Sequence, residues 1–217
     1  MKVALIGSTG FVGSALLQEL LQRGHTVTAL VRQPGKLAAQ DRLHPVQADA
    51  QDAAQVAQAV EGHEAVISAY NPGWSAPDLY DSFLRGSAAI TLGVKRAGVK
   101  RLLVVGGAGS LYVAPGLQLV DTPDFPKHVP PEVVPGARAA RDALTAIAQE
   151  TELDWTFVSP PALLQPGQRT GQYRLGGDQL LMNGAQPAGI SVQDLAVAIV
   201  DELETPRHSR RRFTVAN

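Results

Sequence analysis

An α/β fold built on a mostly parallel, doubly wound sheet with helices on both faces is what this sequence predicts, on three observations. Short β-branched or leucine-rich runs alternate with longer stretches whose apolar residues fall three and four apart, the rhythm of successive βαβ units. The short runs are apolar almost throughout, as strands covered on both faces are. A glycine-rich turn, Gly7-Ser8-Thr9-Gly10-Phe11-Val12-Gly13, stands where the first short run ends and the first helical stretch begins.

Strands are expected at residues 3–6, 26–31, 44–48, 65–68, 102–105 and 155–159, with a last one near 213–215. Helices are expected at 11–23, 52–60, 79–97, 132–150 and 192–203, the first carrying Val12, Leu16 and Leu20 on one face. Right-handed crossovers then give a Rossmann-like sheet. Gly and Pro punctuate the second half, and residues 107–131 and 160–190 are expected to be loops forming the rim of a cleft. No repeat, low-complexity tract or linker-like shift appears, so residues 1–217 read as one Rossmann-like domain.

The 217 residues are 45% hydrophobic, enough for a substantial core. Nineteen basic side chains face 20 acidic ones, so no strong field draws the surface to nucleic acid or an anionic membrane. The only basic run, Arg207, Arg210, Arg211 and Arg212, reads as a solvated turn before the final strand. Cysteine is absent, which excludes disulfides, thiolate nucleophiles and cysteine-held metals. The five histidines are scattered, without metal-ligand spacing, and are expected at the surface; no metal site is predicted. No GxSxG elbow occurs. The opening apolar run is too short for a signal segment or a membrane span, and the protein is expected in the cytoplasm.

In the turn, Gly7 permits the tight bend, Gly10 lets backbone approach a pyrophosphate, and Gly13 lets the helix lie close to the sheet. Free N–H groups at the helix start then face phosphate. The second strand ends in Val31-Arg32 where an NAD site usually offers a carboxylate, and a cation there suits the extra phosphate of NADP. A solvated arginine at a strand end is the plainer alternative. Asp49 either accepts from an adenine amino group or serves the turn before the next helix.

With these motifs the chain resembles the short-chain dehydrogenase/reductase superfamily, in its atypical, small NAD(P)H-binding branch that includes NADH-flavin reductase-like and biliverdin/flavin reductase-like proteins. The other markers are Ala29-Leu30-Val31-Arg32, Val66-Ile67-Ser68-Ala69, the stretch from Leu103 to Ser110, Ser159-Pro160-Pro161-Ala162 and Pro166-Gly167-Gln168-Arg169-Thr170-Gly171. The resemblance implies that Thr9, Gly10, Phe11, Val12 and Gly13 hold the pyrophosphate and Arg32 the adenosine phosphate. It implies that Ser68, Ala69 and Tyr70 line the ribose path. Gly106, Gly107 and Ala108 would approach the nicotinamide ribose, and Pro160 and Pro161 would pack near the nicotinamide ring.

Many members of that superfamily use a Tyr with a Lys four residues later, because the cation makes the phenol a usable proton donor. Here Tyr70, Tyr80, Tyr112 and Tyr173 are followed at that spacing by Trp74, Leu84, Gly116 and Gly177. Ketone reduction and sugar epimerisation are thereby disfavoured. A flavin or quinone spreads incoming charge over its ring and takes its proton from solvent, so the protein mainly orients it. Ser110 is the residue expected beside the reacting ring, or else caps its glycine-rich turn. Tyr112 donates a proton, stacks on substrate or anchors the loop. Trp74 covers a flat ligand or is a partly buried loop residue.

The sequence thus predicts a reductase preferring NADP(H) to NAD(H) that passes hydride to a flavin, quinone or similar flat acceptor. Two alternatives stand beside it. One is a non-enzymatic NADP-binding redox sensor with a protein partner, and the other a nucleotide-sugar epimerase or dehydratase.

Overall fold

The computed structural model describes residues 1–217. In chain order it contains β1 (Lys2–Ile6), α1 (Phe11–Gln22), β2 (Thr26–Val31), β3 (Leu43–Gln47), α2 (Ala53–Val60), β4 (Ala65–Ser68), α3 (Leu79–Arg96) and β5 (Arg101–Val105). A hairpin of β6 (Tyr112–Ala114) and β7 (Leu117–Gln118) follows, then α4 (Phe125–His128), α5 (Val133–Ile147), β8 (Asp154–Ser159), β9 (Leu163–Gln165) and β10 (Arg174–Gly176). The chain closes with a second hairpin of β11 (Met182–Asn183) and β12 (Gln186–Pro187), then β13 (Gly189–Ser191), α6 (Val192–Glu204) and β14 (Arg211–Ala216). Every expected strand and helix is present, with ends displaced by a few residues at most.

Eight strands form the main sheet in the order β10-β14-β8-β5-β4-β1-β2-β3. All pairings are parallel except β10 with β14. Strand order reverses between β1 and β4, and open α/β sheets hold ligands at such a switch point, outside the carboxyl ends of the strands. Side-chain alternation divides the apolar residues into two cores. Val3, Leu5, Ile67, Leu103, Val158 and Phe213 pack with α1 and α6, while Ala4, Ile6, Val66, Leu102, Trp155 and Phe157 pack with α2, α3 and α5. That two-sided burial is why the strands read as unbroken apolar runs.

The spans expected to be loops hold regular structure. Residues 107–131 contain the β6–β7 hairpin, α4 and single turns of 3-10 helix at Ala108–Ser110 and Leu119–Asp121. Residues 160–190 contain β9 to β12 and the start of β13, and β10 adds an antiparallel edge to the sheet. Strands of two or three residues are too short to show a period. The two spans also touch: the Tyr112 amide donates to Asp178 O at 2.9 Å and the Leu180 amide donates to Tyr112 O at 2.9 Å.

Two other expectations are corrected. His25 and His63 are buried, not at the surface. Nε2 of His25 meets Oε1 of the exposed Glu204 at 2.8 Å, and Nε2 of His63 meets the buried Thr28 Oγ1 at 2.7 Å, so each ring has a polar partner. The basic run is not simply a solvated turn either. Arg211 and Arg212 lie within β14, and the Arg212 side chain is only 5% exposed. No helix is long and apolar enough to cross a membrane.

Candidate nicotinamide nucleotide site

The glycine turn joins β1 to α1 at the switch point. Gly7 has φ +82°, and a Cβ on it would lie 2.4 Å from Ala69 O, so the turn packs directly on the backbone after β4. A Cβ on Gly13 would lie 1.9 Å from Gly7 O. At Gly10 a Cβ would meet only Gly7 O, at 3.3 Å, and the backbone there is ordinary. Gly7 and Gly13 are therefore required by protein packing, whereas the space beside Gly10 is open.

The first helical hydrogen bond of α1 runs from the Ser14 amide to Gly10 O at 2.9 Å. The amides of Phe11, Val12 and Gly13 precede it and donate to nothing in the protein. Ser8 Oγ is buried without a partner in the same turn. Unpaired donors at a helix start, around a residue with no side chain, fit the pyrophosphate of a dinucleotide. Thr9 and Phe11 are exposed and Val12 half-buried.

Around the ends of β2, β3 and β4 the structure gathers a second set. Arg32 is exposed and makes no ion pair or hydrogen bond. Asp49 is exposed and its Oδ1 accepts from the Gln51 amide at 2.9 Å, while Asp52, not Asp49, caps α2 by accepting from the Ala54 and Gln55 amides. Burial raises the Tyr70 phenol above its usual pKa; the charge of Asp49 adds to that and Arg32 opposes it, so these three side chains share one neighbourhood. The Tyr70 ring lies against Gly86 of α3, where a Cβ would come within 2.2 Å of it, and its hydroxyl donates to Ser82 O at 3.1 Å. Of the residues expected along the ribose path, Tyr70 thus turns into the helix layer. Ser68 lines a cavity of about 580 Å³ between α3 and α5, and Ala69 meets the glycine turn.

The other half of the cleft is more enclosed than the sequence implies. A Cβ on Gly106 would lie 2.1 Å from the Phe157 ring, so this glycine answers to packing, while Gly107 has room and Ala108 is half-buried. Pro160 and Pro161 are buried. Ser110 is 1% exposed; its Oγ lies 3.1 Å from Ser159 Oγ and donates to Gly107 O at 3.3 Å, so in this conformation its hydroxyl faces protein rather than a ligand. Tyr112 is half-buried, with the Arg212 guanidinium 5.8 Å from its ring centroid.

Where a TyrxxxLys pair would stand on α5, the chain has Gly136, and Trp74 lies against it. A Cβ on Gly136 would be 2.9 Å from the indole. Trp74 is 51% exposed, in keeping with a partly buried loop residue. The 166–171 motif is a latch. Arg169 pairs with the buried Glu19 of α1 at 2.7 Å, and the buried carboxylate of Asp194, at the start of α6, accepts from the amides of Thr170 and Gly171. Sequence reasoning missed the open donor at Ser8 and the role of Arg212. Counting back by two from Thr214 would have placed Arg212 on the sheet face opposite Phe213.

The fold and this turn define a Rossmann-like dinucleotide-binding protein of oxidoreductase type. The chain belongs to the NAD(P)H-binding family, whose model matches residues 7–206. YwnB of Bacillus subtilis (strain 168) is 38% identical over 220 residues, spanning 100% of this chain and 99% of that one. A candidate epimerase of Bacteroides thetaiotaomicron is 45% identical, with a TM-score of 0.90 over 99% of this chain and 96% of its own. A candidate NADH-flavin reductase of Streptococcus pneumoniae TIGR4 is 35% identical, with a TM-score of 0.83 over 100% and 99%. These relatives agree with the resemblance to atypical short-chain dehydrogenases/reductases.

Proposed function

We propose that the protein is an NADPH-dependent reductase of flat, conjugated acceptors such as flavins or quinones. The observation that carries the reading is the trio of unbonded amides at Phe11, Val12 and Gly13 facing an open Gly10, with an unpaired Arg32 at the end of the next strand. The amides hold the diphosphate, and Arg32 pairs with the ribose phosphate that distinguishes NADP(H) from NAD(H). Bound reduced nicotinamide supplies a hydride.

The acceptor class follows from what the cleft lacks. Tyr70 is half-buried with its hydroxyl donated to the backbone, Ser110 is enclosed, and no phenol has a lysine beside it on α5. A ketone, whose reduction develops charge on a single oxygen, finds no lysine-activated phenol here. A conjugated ring needs a surface and an orientation instead, and the exposed faces of Phe11 and Trp74 offer such surfaces. The likeness to the streptococcal flavin reductase candidate supports this reading, and what speaks against an epimerase is the missing TyrxxxLys pair. Cytoplasmic operation, beside the reactions that regenerate NADPH, belongs to the same proposal.

The test is loss of NADPH absorbance with FMN, FAD and a short-chain quinone, against simple ketones and aldehydes. Turnover with the ring acceptors and not with the carbonyls is expected. NADPH binding without oxidation by any of them overturns the reductase and favours a redox sensor.

A further inference from the structure

Of the four tyrosines, three donate their hydroxyls within the protein: Tyr70 to Ser82 O, Tyr80 to Asp142 and Tyr173 to Asp201. Tyr112 is the exception. Its hydroxyl bonds nothing, although its backbone is held on both sides, the amide by Asp178 O and the carbonyl by the Leu180 amide. Tyr112 lies two residues beyond the 3-10 turn of residues 108–110 and carries the 107–131 span against the 174–180 segment.

Arg212 closes this junction. From the sheet its guanidinium donates to Ser110 O at 2.8 Å, Ser110 Oγ at 3.2 Å and Asp178 Oδ1 at 2.7 Å, and it lies over the Tyr112 ring. A guanidinium with only 5% of its side chain exposed, bonded to both spans, fixes their relative position more firmly than a surface pair would. A lysine would keep the charge but could not reproduce the fork.

We propose that Tyr112 is the phenol that hydrogen-bonds a ring carbonyl of the acceptor, and that Arg212 is its positioning residue, a cation on the last strand that aims the phenol by geometry. The inference rests on the reductase reading above and names the chemistry it recognises: a flat ring carrying a carbonyl, as flavins and quinones do. The cofactor grip, on β1 and α1, lies outside this junction.

The experiment compares wild type with Tyr112→Phe, Arg212→Lys and Asp178→Asn. It measures NADPH affinity, acceptor kcat and KM, the Kd of oxidised FMN for the NADP⁺-loaded protein, and amide exchange at Tyr112 and Leu180. NADPH affinity should be unchanged in all three. Tyr112→Phe should raise acceptor KM and the FMN Kd about 5- to 10-fold, the size of one lost hydrogen bond, with normal exchange. Arg212→Lys should do the same while speeding exchange at both amides, and Asp178→Asn should give a weaker form of that pattern. An active wild type whose Tyr112→Phe and Arg212→Lys variants keep acceptor KM and FMN Kd overturns this inference alone, as does equal loss of NADPH and FMN binding. A wild type that oxidises no NADPH with any ring acceptor overturns the reductase reading, and this one with it.

Discussion

A Cβ on Gly13 would stand 1.9 Å from the carbonyl oxygen of Gly7, so the outer glycines of the turn are packed backbone to backbone, while Gly10 between them keeps an open side. The three positions should therefore fail differently. Gly13→Ala should cost about 3 kcal/mol of stability, as forced overpacking does. Gly10→Ala should fold normally, because its φ of −82° and ψ of 174° suit alanine, yet lose at least about tenfold in NADPH affinity. Thermal melts with and without NADPH separate the two outcomes.

Arg32 has no partner within the protein, so removing it leaves no buried charge behind. Arg32→Ala should weaken NADPH binding about 10- to 100-fold, the range for a charge-assisted hydrogen bond, and leave NADH binding unchanged. Calorimetric titration with both nucleotides decides it; equal losses would remove the NADP assignment.

Trp74 and Trp155 are the only tryptophans, the first 51% and the second 5% exposed. Oxidised FMN bound at the cleft should quench the Trp74 component of the emission saturably. Trp74→Ala should abolish that quenching and raise acceptor KM about tenfold, whereas Trp74→Phe, which keeps a flat face, should hold KM within about threefold.

Most of the fold was legible because strands buried on both faces and amphipathic helices write their period over enough residues to be read. The glycine turn was legible for the same reason: Gly7 and Gly13 are fixed by contacts inside one local strand–turn–helix unit. What escaped depends on partners far along the chain. Arg212 reads as one of a basic cluster, and only its bonds to Ser110 and Asp178, 102 and 34 residues away, make it an interior residue. His63 reads as a surface residue until β2 brings Thr28 to its ring. Trp74 reads as a loop tryptophan, and its place on α5 follows from Gly136 having no side chain. Ser110 could be placed after the fifth strand from sequence, but its enclosure by Ser159 could not.

Glu19 is 3% exposed, and its hydrogen bond from Arg169, aided by Arg23, holds its carboxyl below the ordinary glutamate range against the opposing effect of burial. A carboxyl whose folded pKa is depressed contributes stability that is present above its unfolded pKa and lost as pH falls through the folded one. Stability should therefore decline below about pH 4.5 as Glu19 protonates. Glu19→Gln should lose about 2 kcal/mol at neutral pH, flatten part of that acid slope and loosen residues 166–171. Denaturant melts from pH 3 to 7, with limited proteolysis of the 166–171 segment, check this; a slope unaltered in the variant contradicts it.

The grip of the Phe11, Val12 and Gly13 amides on the cofactor diphosphate is tested most directly by titrating ¹⁵N-labelled protein with NADP⁺ and following those three resonances. They should move together and saturate at micromolar nucleotide, further and sooner with NADP⁺ than with NAD⁺. If they stay in place while nucleotide binds elsewhere, or if none binds, the account is contradicted.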